Sequence, residues 1–442
     1  MSRKRRRRLP VDPVTVSISD LSHDGRGVGR ISDKAVFVHG ALPGETVSAR
    51  LIARNRRFDE AVCLEVLEPS PDRIEPGCEW FEQCGGCALQ HLAHSAQLGF
   101  KHQRLVENLR RIGEVEPERW LEPLAADPWG YRRRSRLSAR KVEGKGRVLV
   151  GFREKQGRFV ADVGHCRVLH PDFGHRLASL SELLGNLSVA DAVPQIETAS
   201  GDDGAAIVIR HLRELTSADV MQLKQWSERE GIAVYLQPKG PDTVHRLCPD
   251  DHQLSYRLAS FDVQLVFHPQ HFIQVNARLN AALVETAIHL LSPTPQERVL
   301  DLFCGLGNFT LPLARRAGFV FGVEGSEALI HAARANAVGN GLANVDFDVA
   351  DLASDVSDRS WYRQGFDAVL IDPPRSGAFE ILPMVAGCGA RRLVYVSCNP
   401  ATLARDAGEL CRSHRFVLKA AGIADMFPHT AHVESIALFE RE

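Results

Sequence analysis

Arg298-Val-Leu-Asp301-Leu-Phe303-Cys304-Gly305-Leu-Gly307-Asn308-Phe-Thr310 decides the fold. An apolar run gives way to a Gly-x-Gly turn and then to residues that suit a helix. That is strand, tight turn, helix. The rhythm continues on both sides. Residues 278–291 read as a helix. Phe319-Val-Phe-Gly-Val-Glu324 reads as a strand ending in an acid, with a helix over 328–338. Val345-Asp-Phe-Asp-Val349 is a strand that ends near Asp351. Phe366-Asp-Ala-Val-Leu-Ile-Asp372-Pro-Pro-Arg375 is a strand ending in Asp-Pro-Pro. Arg392-Leu-Val-Tyr-Val-Ser-Cys398-Asn-Pro400 is a buried strand that stops at a cysteine, followed by a helix over 401–412 and strands near Phe416 and over 435–439. Alternation of this kind implies an α/β, doubly wound, Rossmann-like sheet. Each chemically active residue falls just after a strand, the edge where open sheets bind ligands. A strand-end cysteine alone reads as a small core hydrophobe. Its neighbours make Cys398 a candidate nucleophile.

The chain of 442 residues allows two or three domains. Hydrophobic residues make up 44% and charged residues 25%, an ordinary globular balance. No apolar run approaches the roughly 18 residues of a membrane span. Met1-Ser-Arg-Lys-Arg-Arg-Arg-Arg8 is basic but precedes no apolar stretch, so it is no secretory signal, and a cytoplasmic protein with no membrane partner is expected. The net charge of −1 hides local asymmetry. Residues 1–60 hold 13 Lys/Arg against 7 Asp/Glu, and residues 130–160 hold 11 against 2. Two basic regions on a near-neutral chain point to a nucleic acid docking at chosen places.

Residues 10–68 read as a small five-stranded barrel of OB type, with Arg26, Arg30, Arg50, Arg54, Arg56 and Arg57 on it. Gly25-Arg-Gly-Val-Gly29 reads as a turn-rich insert. The Gly-Arg-Gly-Val-Gly-Arg segment, Phe37-Val38 and Leu42-Pro-Gly-Glu45 resemble the TRAM domain of RNA-modifying enzymes. Residues 75–265 form a central mixed α/β segment, and 266–442 the doubly wound domain. Residues 96–113 carry a helical apolar spacing. Tyr131, Phe152 and Phe159 alternate with arginines, which suits phosphate contact and base stacking. Residues 176–260 show no chemical motif.

Ten cysteines without a secretory signal do not make a disulfide framework. Cys78, Cys84 and Cys87 cluster, with two glycines between the last pair. A metal centre needs a fourth ligand, for which Cys166 is the candidate, with His165 as competitor. Spacing leaves zinc and an iron–sulfur cluster equally open.

The Gly-x-Gly turn lacks the third glycine of a dinucleotide site. S-adenosylmethionine has no pyrophosphate and needs fewer glycines. Glu324 would meet its ribose and Asp351 its adenine, with Asp372 at the methyl end.

Together, Phe272-Ile-Gln274-Val-Asn276, Asp301-Leu-Phe303-Cys-Gly-Leu-Gly-Asn308-Phe-Thr, Asp372-Pro-Pro-Arg375, Ser397-Cys398-Asn-Pro400 and His432-Val-Glu434-Ser resemble the RNA uracil-C5 methyltransferases. With the TRAM-like module and the four cysteines, the chain is similar to those members that modify 23S ribosomal RNA. The resemblance implies a class I methyltransferase domain that uses S-adenosylmethionine, and a [4Fe–4S] cluster on Cys78, Cys84, Cys87 and Cys166. It implies cofactor contacts from Gln274, Phe303, Asn308, Glu324, Asp351 and Asp372. It implies Cys398 as nucleophile and Glu434 as base, in an enzyme expected to act as a monomer on 23S ribosomal RNA.

The chemistry explains those residue types. C5 of uracil is a poor nucleophile. A thiolate adding at C6 makes an enolate, C5 attacks the methyl group, a base removes the C5 proton, and elimination expels the cysteine. The target base must leave its stack to meet both reagents. Rival readings are methylation of another RNA, a cytosine-C5 methyltransferase, a radical enzyme using the cluster, and a non-catalytic RNA-binding protein. Intact Cys398, Glu434 and Asp372 argue against the last.

Overall fold

The computed structural model describes residues 12–354 and 356–441. The Arg3–Arg8 run lies outside them. The described residues fall into two compact units. One runs to Lys101 and takes in Phe427–His432; the other holds His102–Met426 and Val433–Glu442.

The first unit carries a closed barrel in the order β1-β2-β3-β5-β4, from Val14–Leu21 (β1), Gly27–Ile31 (β2), Lys34–His39 (β3), Thr46–Arg54 (β4) and Phe58–Glu68 (β5). Part of the expected glycine-rich insert is in fact β2. The glycines are there for closeness: a Cβ on Gly29 would lie 2.5 Å from Val16 Cγ1 and 2.7 Å from the Ser17 carbonyl. Val16, Ile18, Val36, Val38, Val47 and Ala61 fill the interior. The TRAM-like residues are partly structural. Buried Glu45 accepts from the Leu42 amide at 2.8 Å and pairs with Arg73. Arg26 lies 4.8 Å from the Phe37 ring and pairs with Asp24 at 2.9 Å.

The second unit holds three sheets, two large and one a two-stranded hairpin. Arg119–Trp120 (β6) comes first in the chain but belongs to the later sheet. Arg134–Val142 (β7), Arg147–Gly151 (β8), Gln195–Ser200 (β9), Ala205–Arg210 (β10), Ile232–Gln237 (β11) and His245–Cys248 (β12) form a six-stranded sheet, ordered β12-β11-β10-β9-β7-β8. Leu254–Leu258 (β13) and Val263–Phe267 (β14) make a hairpin. Arg298–Leu302 (β15), Phe319–Glu324 (β16), Val345–Val349 (β17), Ala368–Ile371 (β18), Arg392–Ser397 (β19), Val417–Ala424 (β20) and Glu434–Glu440 (β21) form the main sheet. Its order is β17-β16-β15-β18-β19-β21-β20-β6, parallel from β17 to β19, with β21 antiparallel to both neighbours. The central strands are buried on both faces, which is why they read as unbroken apolar runs.

Two details depart from the sequence reading. The helix expected over 96–113 is α-helical over His94–Asn108 and continues as a π-turn over Leu109–Gly113. Gly113 sits against helix Pro400–Ser413, where a Cβ would stand 2.5 Å from the Ala404 carbonyl. Tyr131, expected as a stacking platform, is buried. Phe152 and Phe159 each have an arginine of the protein near the ring, Arg132 at 5.5 Å and Arg158 at 5.6 Å, and Phe159 stays exposed. Among the described residues no helix is long and apolar enough to cross a membrane.

Candidate active site

Strand register brings the candidate reacting groups together. β19 and β21 pair antiparallel, and their last partners at this end are Ser397 and Ser435. One step further out, Cys398 leaves β19 opposite Glu434, the first residue of β21. On the other side, β18 pairs with β19 up to Ile371 and Tyr395, so Asp372 emerges beside them. Three acidic groups thus share one end of three adjacent strands. Helix Pro400–Ser413 begins immediately after Cys398, capped by the Asn399 side chain on the Ala401 amide at 3.1 Å.

Burial sets the protonation of this trio. Glu434 is 3% exposed, and burial, reinforced by Asp372, holds its carboxyl well above the ordinary glutamate value. Burial also raises Asp372. Burial, then Glu434 and Asp372, push the Cys398 thiol up to about 11, while the Arg375 cation works against them. A thiol raised this far is neutral at rest, so a nucleophilic role for it would require proton transfer to a neighbour.

Arg375 stands on a loop fixed to the helix that follows Cys398. Asn399 Nδ2 and Thr402 Oγ1 donate to its carbonyl at 3.1 and 3.4 Å. Fully buried Asp406 accepts from Tyr395 Oη at 2.6 Å, the Ala378 amide at 2.8 Å and Arg405 Nε at 2.7 Å.

The Gly-rich turn forms the next part of the edge. Phe303 is held at φ +63°, with Gly305 at +57° and Gly307 at +99°. A left-handed non-glycine residue is strain that marks functional turns. Gly305 faces open space, since a Cβ there would meet nothing within 4 Å. Glu324 ties this turn to the next loop, accepting from the Gly305 amide at 3.3 Å and the Ser326 amide at 3.1 Å. Asp301 beneath the turn is fully buried, and burial raises it to about 8. Its Oδ2 accepts from Thr310 Oγ1 at 2.6 Å, and its Oδ1 has no partner among the described residues. An open backbone cradle above a buried acid, with a carboxylate on the next strand, fits a cationic, hydroxyl-bearing cofactor such as S-adenosylmethionine.

A family model for tRNA (Uracil-5-)-methyltransferase matches residues 205–442, and a TRAM domain model matches 7–62. The chain is 53% identical over 442 residues to a 23S rRNA (uracil(1939)-C(5))-methyltransferase RlmD of Alkalilimnicola ehrlichii, covering 99% of each. A protein of the same description from Xylella fastidiosa is 52% identical over 440 residues, again covering 99% of each.

The chain belongs to the RNA uracil-C5 methyltransferases.

A solved member, the Pyrococcus abyssi tRNA (uracil-54, C5)-methyltransferase in complex with S-adenosyl-L-homocysteine, superposes with a TM-score of 0.74 at 26% identity, covering 96% of this chain and 100% of that one. The barrel and the class I methyltransferase sheet expected from sequence are both present.

Within this uracil-C5 methyltransferase the expected cofactor residues are placed unequally. Phe303 and Glu324 border the cradle. Buried Gln274 accepts through its carbonyl from Arg133 Nε at 3.1 Å. The Asn308 amide exchanges two hydrogen bonds of 2.9 Å with Asn280 and accepts another of 2.9 Å from Tyr256 Oη. Asp351 is exposed after β17 and turns back on the Ala353 amide and the Ser354 hydroxyl. Cys78, Cys84 and Cys87 lie in the first unit and Cys166 in the second, each half-buried. Among the described residues no group of three or more His, Cys, Asp or Glu is arranged to hold a metal ion.

Sequence reasoning missed Asp301, Asp406, Tyr256 and Arg133. Asp301 had a signal, an acid inside an otherwise apolar strand. The others had none, because Tyr256 sits in the stretch without motifs and Arg133, 4.4 Å from its ring, among many arginines.

Proposed function

We propose that this enzyme transfers a methyl group from S-adenosylmethionine to C5 of one uridine in 23S ribosomal RNA, the position its relatives are named for, uracil 1939. The observation that carries the chemistry is the register that sets Cys398 opposite Glu434, with Asp372 beside them.

S-adenosylmethionine, when bound, supplies the electrophilic methyl group and a sulfonium charge that favours the ionised forms of nearby acids; Gln274, Phe303, Asn308, Glu324, Asp351 and Asp372 would hold it. The protein does the rest. Cys398 loses its proton to a carboxylate and its sulfur adds to C6. The electron pair moves to the uracil carbonyl, and C5 takes the methyl group. Glu434 then removes the C5 proton, the pair re-forms the C5=C6 double bond, and Cys398 leaves as thiolate. A buried carboxyl raised above the ordinary glutamate value is, once ionised, a stronger proton acceptor.

Cys78, Cys84, Cys87 and Cys166 are our assignment for a [4Fe–4S] cluster; their spacing supports a metal centre, and the resemblance of the chain supports the cluster over zinc. Methyl transfer needs no electron, so no step runs through it. We read the chain as three functional parts: 10–68 and 75–265 to present RNA, and 266–442 for catalysis. We read the enzyme as a monomer of the cytoplasm, the location supported by a ribosomal RNA substrate.

Mass mapping of ribosomal RNA from cells with and without the gene tests the reading. One methyl group should vanish from one uridine of 23S RNA. Cys398→Ala should fail to restore it while still binding RNA. Unchanged RNA, or restoration by Cys398→Ala, refutes the assignment.

A further inference from the structure

A cavity of about 760 Å³ opens at the edge of the six-stranded sheet, a volume in the range of small-ligand sites. Register explains its wall. Arg210, the last residue of β10, pairs with Gln195 of β9 on one side and with Gln237, the last residue of β11, on the other. One row across the sheet therefore delivers an amide, a guanidinium and an amide. β10 and β11 run parallel, so this row lies at the carboxyl ends of two parallel strands. Lys239 follows just beyond β11 and also lines the cavity. Opposite stands the start of helix Glu327–Gly339, with Ser326 and Leu329 on the wall.

The charges are unevenly satisfied. Arg134 and Arg136 share Glu197, at 3.7 and 2.9 Å. Arg210 is half-buried, its Nε is shielded from water, and that atom has no hydrogen-bond partner among the described residues. Neither Arg210 nor Lys239 forms an ion pair among the described residues. A guanidinium donor withdrawn from water without a partner is a cost that a bound anion removes. His268 and His271 also line the cavity, and burial lowers both, His268 to about 4, so neither adds charge at neutral pH. The positive charge without an ion-pair partner is that of Arg210 and Lys239, with the Asp242 carboxylate also on the wall. The flanking amides are already engaged: Gln195 donates to Glu197 at 3.1 Å and buried Gln237 to the Lys239 carbonyl at 3.4 Å, so a base edge would meet their remaining donors and acceptors.

We infer that this cavity is a subsite for one nucleotide of the RNA substrate other than the target uridine, its phosphate between Arg210 and Lys239 and its base edge met by Gln195 and Gln237. The inference rests on the RNA-substrate reading above. It gives the central segment a defined contact, where a diffuse basic face would read no particular nucleotide.

The test uses the full-length enzyme and a 23S RNA fragment carrying the target loop. Arg210→Gln and Lys239→Gln are compared with Lys224→Gln, an equal charge change on the exposed face of helix Ser217–Glu230. Retained S-adenosylhomocysteine binding shows that each variant is folded. Each subsite variant should lower the slope of log affinity against log salt by about 0.7, the share of one single-strand phosphate contact, and Lys224→Gln should not. KM for RNA should rise about tenfold, one phosphate contact's worth, with kcat and KM for S-adenosylmethionine unchanged. Removing the base at one non-target position should weaken binding to wild type but not to Gln195→Ala or Gln237→Ala. Wild-type slopes in both subsite variants, an equal drop in Lys224→Gln, or no such base position overturns the subsite. A wild-type enzyme that neither binds nor methylates the fragment overturns the functional reading itself.

Discussion

Replacing Glu434 by glutamine tests the site most directly, because it separates the base from everything else. The change keeps the side-chain size at a position 3% exposed and removes only the ability to take a proton. A positioned general base contributes about 10²–10⁴ in rate, so turnover should fall by that factor, about 3–5 kcal/mol of barrier. The loss falls after methyl transfer. RNA tritiated at C5 should therefore become methylated once, keep its tritium, and stay attached to Cys398 as an adduct on a denaturing gel. Folding changes in the opposite direction. Burial raises the Glu434 carboxyl in the folded state, so wild-type stability is greatest below the ordinary glutamate value and is lost as pH rises towards the folded one. Glutamine has no such proton. The variant should melt level with wild type in acid and gain on it as pH rises, by up to ~1.4 kcal/mol per unit of the wild-type shift. Tritium release within about tenfold of wild type, well short of a base's contribution, refutes the assignment. So does an inactive, folded variant without adduct, because the block would then precede attack.

Other consequences follow from the same contacts. Asp406→Ala strips the acceptor from Tyr395 Oη and the Ala378 amide, and two orphaned donors at ~1–3 kcal/mol each should lower the urea midpoint accordingly; Asp406→Asn should recover part of it. Asp301 is raised from 3.8 to about 8, so wild-type stability should fall as pH rises through that window, and Asp301→Asn should flatten the melting-temperature profile. Gly29→Ala drives a Cβ into Val16 and the Ser17 carbonyl, and a cost of ~1–3 kcal/mol should show as a lower melting temperature of the full chain.

Much of the catalytic half was legible because its signals are local. A buried parallel strand must be apolar throughout, and a ligand-edge turn must admit unusual backbone angles. Hence Val299 to Leu302, Gly305, Gly307 and the Asp372-Pro-Pro stop could be read in place. β2 was harder. Its glycines resemble a turn until the neighbouring strand is present to explain why a side chain cannot fit there. Among the aromatic residues of the basic stretch Tyr131 is buried and Phe159 exposed, since nothing in the sequence says which ring the core will take.

By itself the sequence determined the elements and their order, the barrel at the start, the Gly-rich turn, and the candidate thiol, acid and cofactor residues. Those follow from periodicity and backbone preference, which act over a few residues. Only the tertiary structure decided which distant residues share a site. Antiparallel return of β21 beside β19 puts Glu434 opposite Cys398; burial raises both, with Glu434 and Asp372 adding to the rise of Cys398 and Asp372 to that of Glu434. It also moved boundaries that looked firm in the chain. Arg119–Trp120 extends the main sheet, and Leu105 and Leu109 pack into its core, far from it in sequence. Contact across such separations depends on register and packing, which no local pattern encodes.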